Sequence, residues 1–353
     1  MLRTWRQRIT ATDIVFWTIG LAIAVMVVYG SAKTLALGKY DLDTWIDLSI
    51  TGLALGGVYA LIALGYTLVY GILRMINFAH SEVFMSGPFT AVFVADGLIA
   101  LGWWNKYPIL SLLLVTLVAV VVSTTIAILL ERIAYRPLRT APRLVPLITA
   151  IGASFFLQYT FRGMYGNDPE TYPSFDFLDG VIQLGPIPVP KADALVIVSA
   201  VVMMLILYGI VQYTKIGKAM RSVSEDKETA LLMGIDVDRV IVFTFVLGGI
   251  SAGVAGILYS LIFHQVHFYM GFIPGLKAFT AAVLGGIGNV VGAWLGGTLL
   301  GLLESLGPNL FLSGLGIPAA NQLKDFIAFA ILVFILIFRP QGLMGERISK
   351  SKM

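Results

Sequence analysis

The sequence predicts an all-α, polytopic membrane protein of about eight to ten transmembrane helices. Three observations carry that prediction. Of 353 residues, 58% are hydrophobic and only 12% charged, whereas a soluble domain carries roughly 25% charged residues. The mean hydropathy is +0.88. Apolar runs long enough to cross a bilayer recur along the chain, separated by short polar turns. The net charge of +4 does not point to nucleic acid, because the basic residues cluster in short inter-helix loops. With no cysteine, disulfides and thiolate metal sites are excluded. The three histidines, His80, His264 and His267, show no metal-ligand spacing, so no metal and no cofactor is expected.

Residues 13–30 form the first span, read as a retained helix rather than a cleaved signal, since no A-x-A site follows. Residues 31–47 read as a mixed polar loop. The second span, 48–73, carries Gly52, Gly56, Gly57, Ala60 and Gly65, small residues that let helices approach closely. The third, 82–101, holds Gly87-Pro88, which predicts a kink or break. The fourth is 108–130, and residues 131–143, with four Arg, read as a loop. The fifth is 144–161. Residues 162–193 form the longest extramembrane loop and 194–213 the sixth span. Then come 240–263, a short eighth span at 272–287, 290–306 and 323–338. The eighth and ninth either both cross or form one re-entrant hairpin.

Residues 214–239 are the most polar long interruption, with five Lys/Arg and five Asp/Glu. They read as a short helix, not a tether. Ser222-x-x-Glu225 fits a capping box, with Ser224 as the alternative cap. Glu225, Asp226 and Glu228 suit a positive helix end, and Gly234 suits the left-handed residue that terminates a helix. If the N-terminus is inside and every span crosses, the inside segments hold seventeen Lys/Arg and the outside loops five. That asymmetry places residues 214–239 and both termini in the cytosol.

No nucleotide-binding loop, nucleophile elbow or zinc-protease motif is present, so no enzyme activity is expected. Embedded ionisable residues are few. Arg74, Asp96, Glu304, Lys324 and Asp325 lie near span ends and read as snorkelling groups. Glu82 and Lys277 sit beside Gly/Pro breaks and either line a path or pair with each other. With Asn77 and Asn289 they are the candidates for a translocation path. The blocks 48–101 and 240–287 both start Gly-rich and end in a short, Pro-bearing segment. This is the arrangement of an inverted-topology repeat, against coincidence in a Gly-rich chain.

Residues 228–234, Glu-Thr-Ala-Leu-Leu-Met-Gly, resemble the EAA-x-x-x-G loop of ABC importer permeases at Glu228, Ala230 and Gly234. Residues 56–82, 217–240, 279–297 and 338–345 are together similar to the branched-chain amino-acid importer permeases, LivH-like rather than LivM-like. The resemblance covers roughly residues 45–345. It implies a permease domain at 48–345, a coupling loop at 214–239, an N-terminal extension with one extra helix at 1–47 and a tail at 346–353. It further implies two cytosolic ABC ATPases, a second, paralogous permease and an extracytoplasmic amino-acid binding protein, in a bacterial or archaeal inner membrane. Ser224, Glu225, Asp226, Glu228, Ala230, Leu231 and Gly234 are the expected coupling residues. Urea and amide importers share these segments, and a proton- or ion-coupled carrier is a reading from another class.

Overall fold

Hydrocarbon offers backbone N–H and C=O groups no partner, so helices satisfy them internally. The computed structural model, which describes residues 11–139, 141–142, 144–185, 187–339 and 341–345, is accordingly built on helices. In order they are α1 (Ala11–Ala36), α2 (Leu42–Leu73), α3 (His80–Ala100), α4 (Pro108–Leu129), α5 (Leu144–Tyr165), α6 (Lys191–Tyr213), α7 (Lys215–Glu225), α8 (Lys227–Leu232), α9 (Val237–Phe263), α10 (Phe272–Gly285), α11 (Val290–Gly307) and α12 (Lys324–Phe338). Among the described residues nine helices are long and apolar enough to cross a membrane, and α10 is a shorter apolar helix. The only strands among the described residues are β1 (Glu170–Thr171), β2 (Val181–Leu184), β3 (Ile187–Pro190) and β4 (Gln265–Val266). β1 pairs antiparallel with β4, and β2 with β3. Arg3, Arg6, Arg8, Arg143 and the tail 346–353 lie outside the described residues.

The helices α2 and α9 form the core and are flanked symmetrically. α2 packs on α11 as α9 packs on α4; α3 packs on α4 and α9, as α10 does on α11 and α2; α5 meets α3 as α12 meets α10. Both core helices end on a left-handed residue, Arg74 (φ 56°) and His264 (φ 52°). Both outer partners end in a π-turn, Leu130–Tyr135 after α4 and Pro308–Leu312 after α11. The adjacency is that of one four-helix unit used twice, α2–α5 and α9–α12. Five spans, α2 to α6, precede the second copy, so it enters from the opposite face when each crosses. α10 begins inside the bundle, where Gly271 and Gly275 lie against Ser81 of α3, and ends at a turn beside the C-terminal segment, where Leu343 N donates to Leu284 O at 2.8 Å and Met344 N to Gly285 O at 2.9 Å.

Small residues set these distances. A Cβ on Gly297 would lie 2.4 Å from Ala60 Cα, and one on Gly301 2.3 Å from Gly56 Cα. Gly249 and Gly253 meet Thr124 and Val120 of α4 in the same way. Helix backbones therefore touch, and dispersion replaces the hydrophobic effect that lipid cannot supply.

Several expected boundaries move. Residues 31–36 belong to α1 and 42–47 to α2, so the loop is only 37–41. The helical path continues past α4 through the π-turn and a 3-10 turn at Arg136–Leu138, where a loop is expected. α3 is not broken at Gly87-Pro88. Pro88 leaves the Phe84 carbonyl without its usual donor, and Gly256 of α9 makes room for both, its Cβ position lying 2.7 Å from Pro88 Cδ and 2.8 Å from Phe84 O. The break falls earlier, at 74–79. There the chain leaves α2 and dips back, so that the ring of His80, the first residue of α3, lies against Gly65, more than two turns before the end of α2, and Gly248, near the middle of α9.

Gly301→Leu is expected to drive α11 off α2. The measurement is thermal stability of the purified protein, with a fall of several degrees or loss of the monodisperse species expected, since overpacking of this kind costs about 1–3 kcal/mol or more.

Candidate functional site

Two regions gather polar side chains: the α7–α8 segment on one face, and the bundle interior where α3 and α10 begin.

α7 starts after Thr214, whose hydroxyl accepts from Gly217 N at 3.1 Å. Ile216, Met220 and Val223 recur at helical spacing, and the last two are buried. Ser222 and Ser224 do not cap. They lie inside α7, and their hydroxyls donate back to Lys218 O (3.1 Å) and Arg221 O (2.7 Å). The cap of α8 is Asp226, whose carboxylate accepts from Glu228 N (2.9 Å), Thr229 N (3.2 Å) and Thr229 Oγ1 (2.7 Å). Those bonds, led by the Thr229 hydroxyl, hold its carboxyl below the usual range. Gly234 ends the segment at φ +82°, as expected. Ala230 faces inward at 3% exposure, while Leu231, Leu232 and Met233 stand 61%, 88% and 78% exposed. The expected coupling set includes Leu231 but not Leu232 and Met233; the signal was three apolar residues in the most polar loop of the chain.

The segment is tied to the bundle. Arg74, ending α2, donates to Ser224 O at 2.9 Å. Asp238, in the first turn of α9, pairs with Arg136 at 2.5 Å and with Arg139, which also pairs with the buried Glu131 in the π-turn. Sequence reading missed this clamp, because it joins residues about a hundred positions apart. Beside it, Lys227 lines an open cleft with Tyr70, Arg74 and Glu228. Partial burial first, then Arg139 and Arg74, pull its ammonium below the usual lysine range.

In the interior the α3 and α10 starts touch. A Cβ on Gly275 would lie 2.4 Å from Ser81 Cβ, and one on Gly271 2.1 Å from Ser81 O. Two helix N-termini, each the positive end of a dipole, thus converge inside the bundle. Glu82 and Lys277 lie there, both buried, but they do not pair with each other. Lys277 Nζ sits 2.7 Å from Glu304 of α11 and 2.6 Å from Asp325 of α12. Glu304 is therefore an interior partner and not a snorkelling group, and Asp325 reaches inward from the start of α12. The Tyr59 ring of α2 lies 5.7 Å from the same ammonium. Glu82 Oε1 accepts from Ser154 of α5 at 3.1 Å and faces Ser81 Oγ at 3.4 Å. Asn77 accepts from the Tyr135 hydroxyl at 2.5 Å, joining the 74–79 dip to the end of α4. Asn289 is elsewhere. It caps α11, accepting from Gly292 N at 2.9 Å, and donates to Met344 O at 3.1 Å, so both ends of its amide hold structure at the bundle face. Among the described residues no group of three or more His, Asp or Glu could hold a metal.

Residues 48–336 match the family model described as branched-chain amino acid transport system / permease component. The chain belongs to this family. The match begins after α1 and takes in both four-helix units and α7–α8 between them. The chain is 38% identical, across 86% of its length, to the high-affinity branched-chain amino acid transport system permease protein BraD of Pseudomonas aeruginosa, covering 96% of that protein. The figures are the same for the permease protein LivH of Escherichia coli. A probable LivH of Methanocaldococcus jannaschii is 29% identical over 83% of this chain and 90% of its own. No solved structure matches. The resemblance to LivH-like permeases drawn from the sequence motifs holds.

Removing one partner of a buried ion pair costs about 3–5 kcal/mol. Lys277→Met is therefore expected to lower the melting temperature strongly, and Glu304→Gln in that background to restore part of the loss. Thermal unfolding of the two variants checks it; a double variant no more stable than the single one would show that the pair is not the source.

Proposed function

We propose that this chain is a transmembrane permease subunit of an ATP-driven importer for branched-chain amino acids. The observation that carries this reading is α8: a capped, exposed apolar tip held to α2 and α9, in a family of permease components. The basic residues Arg74, Arg136, Arg139, Lys218, Arg221 and Lys227 gather on that face, which supports a cytosolic location for it and for both termini. Two cytosolic ABC ATPases would then grip α8 through Leu231, Leu232 and Met233, with Ser224, Glu225, Asp226, Glu228 and Ala230 shaping the segment and Gly234 joining it to α9. A paralogous permease completes the pore, and an extracytoplasmic binding protein delivers the amino acid. The membrane is the bacterial or archaeal inner membrane.

The mechanism follows from the ties described above. ATP-driven closure of the ATPases displaces α8. The chain leads from α8 directly into α9, Asp238 with Arg136 and Arg139 carries the displacement on from α9 to α4, and the Arg74–Ser224 bond carries it from α7 to α2. The core helices then tilt against α11 and α4 over their glycine contacts. The centre where α3 and α10 begin, with Glu82, Lys277 and Asn77, opens and closes with them. The second reading is a proton- or ion-coupled carrier, favoured by the buried groups Glu82, Lys277 and Glu304.

Uptake by vesicles holding the chain with its ATPases and binding protein separates the two. ATP-dependent uptake that survives an uncoupler is expected; uptake that needs no ATP and collapses with the uncoupler supports the carrier. Gly234→Val is expected to uncouple hydrolysis from uptake, because φ +82° strains a β-branched residue although no atom lies within 4 Å of its Cβ. Normal uptake per ATP hydrolysed would remove Gly234 from the coupling.

A further inference from the structure

Among the described residues three glutamates are buried in the bundle. Glu131 has Arg139 and Glu304 has Lys277. Glu82 has no cation among the described residues, and its Oε2 has no hydrogen-bond partner. Its Oε1 is weakly held. The Ser81 hydroxyl lies closer to Phe78 O, at 2.8 Å, than to Glu82, at 3.4 Å, so its single proton serves the carbonyl. Only Ser154, on α5, donates at a normal distance. A dry carboxylate with one free oxygen is costly unless a proton or a cation meets it.

The cover over Glu82 is light. α5 buries few of its side chains, and Ile148, Phe155 and Phe156 stand 67%, 51% and 70% exposed. Its firm hold on α3 is at the far end, where Tyr165 packs on Phe89 and Phe93, and its hydroxyl meets Thr90 at 3.2 Å. At Glu82 the hydrogen bond across the seam among the described residues is that from Ser154. α5 is also packed on the π-turn after α4, so the stretch at Ser154 is the lightly held part of its seam with α3.

We propose that Glu82, with Ser154 and Ser81, forms a subsite for an organic ammonium at the α3–α5 seam, which takes the α-ammonium group of an amino acid during passage. This rests on the importer reading above. A primary ammonium brings three donors. Glu82 Oε2, Glu82 Oε1 and the Ser154 hydroxyl oxygen are three acceptors on one side of α3. Hard divalent cations ask for six or more oxygens, more than the seam holds. No covalent step is involved.

The test uses the whole transporter in proteoliposomes, with its ATPases and binding protein, and leucine as the probe. Glu82→Gln keeps the shape and removes the charge. Leucine uptake is expected to fall at least tenfold while the chain still co-elutes with the ATPases, and Glu82→Asp is expected to retain part of it. Uptake by Glu82→Gln within twofold of the parent overturns the proposal. Should that variant fail to assemble, Ser154→Cys decides. The chain has no cysteine, so the new thiol reports alone on this subunit. During ATP turnover a cationic thiosulfonate is expected to label it at least tenfold faster than an anionic one of the same size, and leucine to slow both. Equal rates, or no labelling in any nucleotide state, overturn the subsite. A parent transporter that moves no amino acid would instead overturn the importer reading, whatever the thiol reports.

Discussion

A helix that begins inside a membrane is the constraint on which the rest of this structure depends. The first N–H groups of any helix lack intrahelical partners, and hydrocarbon provides none. α3 and α10 both begin inside the bundle, so protein must surround their starts. Two long helices, α2 and α9, do so, and 72% of each spanning window is buried. Their small residues follow from the same need. His80 fits at the start of α3 only because Gly65 has no side chain; a Cβ there would sit 2.1 Å from its ring. Gly256 does the same for Pro88, and Gly271 and Gly275 for the crossing of α10 over Ser81. These glycines are where the enclosed helix starts require them, and those between α2 and α11 or α4 and α9 bring the enclosing helices together.

The same enclosure sorts the buried charges into two kinds. Lys277, Glu304 and Asp325 lie on three successive helices of the second unit and neutralise one another to a net single negative charge, with the Tyr59 face nearby. That arrangement fixes the short α10 against α11 and α12. Glu82 occupies the related place in the first unit, but its neighbour α5 supplies a hydroxyl and no cation. One unit is therefore locked by charge and the other is left with an open carboxylate. The two copies share a fold and differ in what their central charges can do.

The spans were legible because hydrocarbon imposes a length and a composition that any window of about twenty residues reveals. Gly234 was legible because a left-handed terminus has few alternatives. The cap of α8 was not. Ser222-x-x-Glu225 matches a capping box as well as Asp226 caps in fact, and only the apolar row Ile216, Met220, Val223 shows that α7 is already under way at Ser222. Lys277 was legible as a functional group, but its partners were not, since Glu304 and Asp325 reach it from other helices. The end of α2 at residue 73 was legible, but the burial of the turn after it, with Asn77 and His80 inside the bundle, was not. A polar run, Arg74 to His80, reads as a surface turn, yet polarity on both sides of a dip is also what a chain needs when it turns back into protein. Sequence alone does not distinguish water from protein as the partner of a polar backbone.

That ambiguity bears on how force would travel. The ties at this face are short polar contacts that join α7 to α2 and α9 to the turns after α4, and half-exposed pairs such as Arg136–Asp238 contribute little stability alone, about 0–1 kcal/mol. Arg139 is different, because it is mostly enclosed and joins Asp238 to the fully buried Glu131. Pulling Asp238 away would leave that arginine half-paired and would strain the π-turn beneath it. A displacement of α9 must therefore bring α4 along. Because α4 and α9 also meet through Gly249 and Gly253 with backbones in contact, and α3 packs as closely on both through Gly87 and Gly256, the three are poised to move as one body against α5. The seam that yields is then the one where α5 is held by a single hydroxyl, and this places the free oxygen of Glu82 where the motion ends.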